Sequence, residues 1–453
     1  MAIMAAQASP LDESLLHGKH EQENLRDDEV NDVEEQLLPP CSTDGASFYG
    51  TGGASFYGTD GASFWRSCLN LSNVISGIGM LSVPYALSQG GWLSLALFAL
   101  VGAVCYYTGK LIDRCMRADR SVKSYPDIGH LAFGAHGRTA IGLVMYVELY
   151  LVAISFLILE GDNLDKLLPS TVVELLGYRV HGKQLFVLVA AAVILPTTWL
   201  KNLSMLAYVS AVGLVASVAL TASLVWAGVA EKGFHMKGSS LLNLSGLPTA
   251  LSLYFVCFAG HGVFPTVYTS MRAKRDFPKV LLISSLLCSL NYALTAVLGY
   301  LIYGEDVQAQ VTLNLPTGKL YTRIAILTTL ITPLAKYALV IQPVTTAIEE
   351  KFSTAVATEN KGLTRVLTST AVVISTVVLA CTVPFFGYLM SFIGSSLNVT
   401  VAVLFPCLSY LKIYLPQGVS RIEVAAIVGI LVIGVSVAVV GTYTSLHQII
   451  GTF

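Results

Sequence analysis

The stretch NVISGIGMLSVPYAL, Asn73–Leu87, decides the fold. It opens the first long apolar run of the chain, yet it carries two glycines, two serines and a proline. Glycine favours unwinding of a helix, and proline removes an amide donor and clashes with the preceding turn. In hydrocarbon, such backbone is tolerated only where it is buried in protein or lines a watery cavity. A second apolar run repeats the feature as FAGHGVFP, Phe258–Pro265. In each, a glycine precedes a proline by five residues, Gly79 before Pro84 and Gly260 before Pro265. Close packing by glycine or a proline kink accounts for either run alone. Both together, at matching places in two five-span halves, point to a transporter with inverted repeats.

The rest of the chain supports a membrane setting. Of 453 residues, 54% are hydrophobic and 12% charged, about half the charged share of a soluble protein. The apolar residues fall in blocks long enough to cross a hydrocarbon core about 30 Å thick. Eleven spans are expected near 65–88, 91–114, 139–160, 184–200, 206–227, 246–271, 279–303, 320–346, 365–384, 387–411 and 422–446. An N-terminus inside leaves sixteen Lys/Arg on the cytosolic side and six on the other, so the positive-inside rule puts the C-terminus outside or in a lumen. Residues 1–45 hold eleven Asp/Glu against Lys19 and Arg26, and read as a disordered acidic cytosolic tail. A repeat of period eight follows, ASFYGTGG, ASFYGTDG and ASFW, giving a low-complexity linker over 46–64. The expected body is then a first five-helix repeat over 65–227, a second over 246–411 and an eleventh helix over 422–446. Six of the eight cysteines lie inside apolar runs without metal-ligand spacing, so neither a metal site nor a disulfide framework is expected.

Unwinding exposes amide donors at the start of one half-helix and carbonyl acceptors at the end of the one before it. That pair of ends suits a small zwitterion. The expected binding backbone is Ser76, Gly77, Ile78, Gly79 and Met80 in the first break, and Phe258, Ala259, Gly260, His261 and Gly262 in the second. A free amino acid fits best.

Three ionisable residues in or beside spans are candidates for proton coupling. Lys336, in TPLAKYALVIQP, sits mid-span, where a charge marks a pathway or a pair. Glu148, in MYVELYL, could relay a proton or hold a neighbouring helix. His261 lies within the second break with glycine on both sides, as a proton group or a structural donor. Glu160 and Asp162 end the third span and read as gate or rim.

SNVISGIGMLSVPYALSQGGW, SYPDIGHLAFG, ILEGDNL and FAGHGVFPTVYTSM resemble the amino acid/auxin permease family, in its plant vacuolar branch, which is related to vesicular inhibitory amino acid transporters. The likeness runs from about Ser63 to the C-terminus. It implies an all-α, LeuT-like fold of two inverted five-helix repeats plus one helix. It also implies secondary active transport of amino acids coupled to protons, usually as antiport into a vacuole. Similar sodium-coupled transporters place a sodium-binding hydroxyl where Lys336 stands and an asparagine where Asn73 stands. The resemblance therefore suggests that the Lys336 ammonium occupies a sodium place beside Asn73, as a proton carrier or as a fixed cation.

The expected partners are an amino acid, protons and the lipid bilayer, with no nucleic acid, no cofactor and a monomeric chain. Symport out of the lumen or at the plasma membrane needs the same groups as antiport. A transporter-like sensor reporting through the acidic tail is a further alternative. A channel would show repeated pore loops or rings of like charge, and neither is present. No span end carries nucleophile-and-base spacing, so no enzyme is expected.

Overall fold

The computed structural model describes residues 61–169, 171–175, 178–199, 204–234, 240–355, 361–383 and 385–452. The acidic tail expected over 1–45 and most of the linker lie outside the described residues. What is described is almost wholly helical. Helices α1 (Phe64–Ile75) and α2 (Gly79–Gly90) form one span bent by 56°. Then come α3 (Ser94–Ala118), α4 (Tyr125–Leu167), α5 (Gly182–Thr198) and α6 (Ser204–Ala227). A second broken span follows, α7 (Leu247–Cys257) and α8 (Phe264–Ser270), and after it α9 (Phe277–Tyr303), α10 (Leu320–Ala355) and α11 (Lys361–Thr382). Helix α12 (Phe386–Phe392) passes through two π-helical stretches into α13 (Phe405–Tyr414), and α14 (Arg421–Ile450) ends the bundle.

Among the described residues, nine helical runs are long and apolar enough to cross a membrane, ten with α1–α2 counted as one. The span expected near 184–200 falls on α5, which is apolar but only 17 residues long. The third span differs from its expected start at 139. Gly134, with φ of 69°, bends α4, and the chain before it doubles back so that Gly129 and Gly137 meet. The structure also adds a small hairpin to an otherwise all-α molecule, β1 (Val172–Leu175) antiparallel to β2 (Tyr178–His181). Its sequences, VVEL and YRVH, hold the β-branched and aromatic residues that favour strands.

Burial follows the pattern of a protein solvated by lipid. Large apolar side chains such as Leu286, Leu290, Val432 and Val439 point outward, while Tyr254, Tyr292, Tyr300 and Tyr337 are sealed inside. Hydroxyls face inward because buried polar groups need partners and hydrocarbon supplies none. Helix α9 shows the result. Ser284, Cys288 and Tyr292, one turn apart on one face, donate to the carbonyls of Cys68, Ser72 and Ile75 on α1 at 3.0, 3.4 and 2.8 Å. That polar seam holds α1 against α9 up to the point where α1 stops.

Candidate functional site

Helix α1 ends at Ile75 because its next residues turn away from it. Ser76 closes the last helical turn onto the Ser72 carbonyl at 2.7 Å but has ψ of 75°. Gly77 then directs its amide to the Ile75 carbonyl at 2.7 Å and to the Tyr292 hydroxyl at 3.1 Å. Helix α2 restarts at Gly79. The amides of Ile78 and Gly79 take no hydrogen-bond acceptor among the described residues. The carbonyls of Asn73 and Ile75, which an unbroken helix would satisfy, take partners from elsewhere, Asn73 from Lys336 and Ile75 from the Tyr292 hydroxyl. Tyr292 thus bridges the break, accepting from Gly77 and donating to Ile75.

The second break has the same logic and a different exit. Helix α7 ends at Cys257, a single 3-10 turn spans His261–Val263, and α8 begins at Phe264. Pro265 therefore sits in the first turn of α8, where a missing amide costs nothing. Pro84, at the same distance from its glycine, instead lies inside α2. The amides of Gly260, His261 and Gly262, and the carbonyls of Phe258 and Ala259, find no partner among the described residues.

The fold brings the two breaks side by side. A Cβ built on Gly79 would lie 3.1 Å from both the Cα and the backbone nitrogen of Cys257, so only glycine lets the start of α2 come this close to the end of α7. On the other side, Gly260 packs against Val74 and Ile75. The donor end of each broken span thus abuts the acceptor end of the other. Gly77, Ile78, Ala259, Gly260 and Gly262 keep partial exposure in the middle of the bundle, while Ser76, Met80, Phe258 and His261 are buried.

Lys336, half-buried on α10, donates from Nζ to the backbone carbonyl of Asn73 at 3.2 Å. The structure thus sets Lys336 against a backbone carbonyl of the broken first span, at Asn73. Asn73 Oδ1 and Thr332 Oγ1, one turn before Lys336, both lie close to Gly213 on α6, so α1, α6 and α10 converge there. Thr332 Oγ1 is buried without a partner among the described residues. A hydrogen bond from a charged donor to a carbonyl is worth about 1.5–3 kcal/mol.

His261 turns its ring away from the break. Its Nε2–H donates to the Cys105 carbonyl at 3.0 Å and lies 3.0 Å from the Thr108 hydroxyl, both on α3, and the ring packs at a tilt against Phe264. Thr108 already donates to the carbonyls of Val104 and Cys105, so Nε2 carries the proton. The ring is a tether between the break and α3, and Nδ1 has no partner among the described residues. Glu148 is half-buried, one turn beyond Met145, whose methyl packs against Gly262. Glu148 makes no hydrogen bond or ion pair among the described residues.

Hydrogen bonds tie segments together at both ends of the bundle. At the end where α4 finishes, the segment 304–319 folds over as a lid, burying Gln310, Val311 and Thr312. Gln310 donates to Asp162 at 2.6 Å and accepts from Asn163 at 2.7 Å, Lys166 donates to the Leu313 carbonyl, and Lys183 pairs with Asp162 at 2.5 Å. At the opposite end Ala62, just before α1, forms a bridge with the end of α8. Its amide donates to the Ser270 carbonyl at 2.8 Å, and its carbonyl accepts from Arg272 at 3.1 Å.

A helical membrane bundle with two broken spans set donor end to acceptor end is the core of a secondary transporter. The transmembrane amino acid transporter family model matches residues 60–447, and the chain belongs to that family. It is 49% identical over 389 residues to amino acid transporter AVT1I of Arabidopsis thaliana, covering 86% of this chain and 95% of that one. Amino acid transporter AVT1B of the same plant is 40% identical, over 85% of this chain and 71% of its own. Among solved structures, the chain is similar to a substrate-bound, outward-open Na+-coupled sialic acid symporter, with a TM-score of 0.54 at 12% identity over 89% of this chain and 92% of that one. That likeness shows the fold, which is LeuT-like. The chain is a multi-pass membrane transporter of amino acids.

Proposed function

We propose that the chain is a proton-coupled antiporter that moves amino acids from the cytosol into the vacuolar lumen as a monomer. The acidic N-terminus is cytosolic and the C-terminus luminal. Residues 65–227 and 246–411 act as the two inverted repeats, with 422–446 outside them. The observation that carries this reading is the paired break. The free amides of Ile78 and Gly79 receive the substrate carboxylate, and the free carbonyls of Phe258 and Ala259 receive its ammonium. Each helix end contributes roughly half an elementary charge of matching sign.

Lys336 serves as a fixed cation rather than as the carrier. Its ammonium holds the Asn73 carbonyl that the break sets free, which supports transport without sodium. The excess of positive residues on one side supports the orientation. The test is uptake of a panel of labelled amino acids into sealed vesicles holding the purified protein, with the proton gradient set in each direction. Accumulation driven only by an acidic interior, and lost when the gradient is collapsed, is expected. Accumulation indifferent to the gradient overturns proton coupling, and accumulation only from the acidic side overturns antiport.

A further inference from the structure

We propose that Glu160 is a proton-binding site whose protonation licenses closure of the 304–319 lid. This inference rests on the proton-coupled reading above. Glu160 is 1% exposed and its Oε1 has no partner among the described residues. One turn on, Asn163 is fully buried and gives its amide to Leu159 and to Gln310 of the lid, and its Oδ1 is unpartnered. Two residues beyond Gln310, Thr312 is also fully buried with an unpartnered Oγ1. The closed lid therefore docks one turn from a buried carboxyl, among unsatisfied oxygens and with no ion pair to that carboxyl among the described residues.

None of the charged and titratable groups around this end of α4 forms an ion pair with Glu160 among the described residues. On α4, Asp162 pairs with Lys183 of α5, Lys166 donates to the lid's Leu313, and Asp165 lies against Gly182. The lid brings Glu305, bound to Ser240 and Tyr300, and Asp306. Tyr85 comes from α2, Cys381 from the end of α11 and Tyr388 from α12, while Lys319 and Arg323 flank the start of α10. Toward the centre lie Glu148 and His261, the latter tethered to α3.

An ionised carboxylate sealed without a cation is costly, whereas the neutral acid offers one donor to a site short of donors. The proton comes from water on the lid side, binds a carboxylate oxygen while the lid is open, and returns to water when the lid reopens. No bond other than that O–H forms or breaks. Asp162 works in the opposite sense. Its carboxylate accepts from Lys183 and Gln310, so acid would loosen the lid through Asp162 and close it through Glu160. The sign of the pH effect therefore separates the two.

The test uses the full-length protein in liposomes with Val311→Cys as reporter, since Val311 belongs to the lid, is fully buried when it is closed, and its side chain is apolar. Labelling by a membrane-impermeant maleimide, corrected for intrinsic thiol reactivity with an exposed control cysteine, should fall about ten-fold from neutral to acidic buffer as the closed population grows. In the Glu160→Gln background it should be low at every pH, and in Glu160→Asp it should keep a pH dependence with a shifted midpoint. Retention of amino acid counterflow by Glu160→Gln shows that the variant folds. Should Glu160→Gln lose counterflow, Glu160→Asp decides the matter by whether its labelling midpoint moves. Labelling in the Glu160→Gln background that follows the wild-type pH course overturns the proposal, as does labelling that rises with acid. Substrate-evoked proton flux in the wild type is measured separately. Its absence with lid closure still pH-dependent removes the coupling reading alone, and its presence with a pH-indifferent lid removes this proposal alone.

Discussion

Replacing Tyr292 by Phe removes a single oxygen from the bridge across the first break. The hydroxyl donates to the Ile75 carbonyl at 2.8 Å and accepts from the Gly77 amide at 3.1 Å, and the side chain is 1% exposed. Phenylalanine keeps the ring and leaves almost no cavity, so the loss is confined to hydrogen bonding. Ile75 and Gly77 still bond one another at 2.7 Å, so neither is left wholly unsatisfied. The cost then falls near the low end for buried hydrogen bonds, about 1–2 kcal/mol for the two together. That is small against the whole fold but large against an equilibrium between conformers, where about 1.4 kcal/mol is ten-fold in population. If α1 leaves α9 during the cycle, the bridge stabilises the state in which they are joined, and the variant populates the parted state more. Amide hydrogen exchange over Ser72–Gly79 should accelerate about ten-fold while exchange in α14 stays the same. The apparent melting temperature should drop by only a few degrees. Unchanged exchange in that segment would refute the idea that Tyr292 sets the stability of the break.

Three further substitutions probe the site. Lys336→Thr puts a hydroxyl in place of the ammonium that holds Asn73, and uptake by the variant should become sodium-dependent. A variant whose uptake ignores sodium speaks against an ammonium standing in for a cation. Gly79→Ala places a methyl 3.1 Å from the backbone of Cys257, so the two breaks must part by a few tenths of an ångström. Half-saturation in counterflow should rise about ten-fold, or 1.4 kcal/mol, with melting little changed. Unaltered half-saturation would mean that the approach of α2 to α7 does not shape the substrate site. His261→Ala should leave the pH profile of transport where it is and lower thermal stability through loss of the tether to Cys105 and Thr108, a cost of about 1–3 kcal/mol. A displaced pH optimum would return His261 to the coupling machinery.

Glycine and proline made the breaks legible in the sequence because they act through the backbone of their own segment. The meeting of the two breaks was legible because matching interruptions, five spans apart, leave few other arrangements. The bond from Lys336 to α1 was readable for a different reason, since a charge in mid-membrane must find an acceptor. Tyr292 was hidden, because one tyrosine in SLNYALTAV looks like any other buried ring. The signal that could have revealed it is the stripe Ser284, Cys288, Tyr292 at four-residue spacing, a polar face on an apolar helix. Glu160 reads in the sequence as gate or rim, and its burial was hidden for a related cause. Its position at a span end was correct, but nothing local to ILEGDNL shows that a lid nearly 150 residues later covers it. Helix rotation and long-range coverage do not leave a mark at the residue they affect.

The two breaks are alike in composition, yet the structure makes them unequal, and under the proposed function that inequality would orient the substrate. Each break offers an acceptor end and a donor end, and their side-by-side arrangement creates two facing pairs. One pair joins the end of α1 to the start of the second break, and the other joins the end of α7 to the start of α2. A zwitterion could in principle lie across either. In the first pair, however, two carbonyls of the acceptor end are already engaged. Lys336 holds Asn73, and Tyr292 with Gly77 holds Ile75, so a substrate ammonium there would meet a resident ammonium and fewer open carbonyls. In the second pair the carbonyls of Phe258 and Ala259 and the amides of Ile78 and Gly79 remain open. Like charge at the first acceptor end and vacancy at the second both favour a single orientation, with the carboxylate toward α2 and the ammonium toward α7. On that reading Lys336 would act on selectivity as well as on the backbone it supports, and a substrate lacking the amino group should lose less affinity at the Lys336 side than one lacking the carboxylate loses at Gly79.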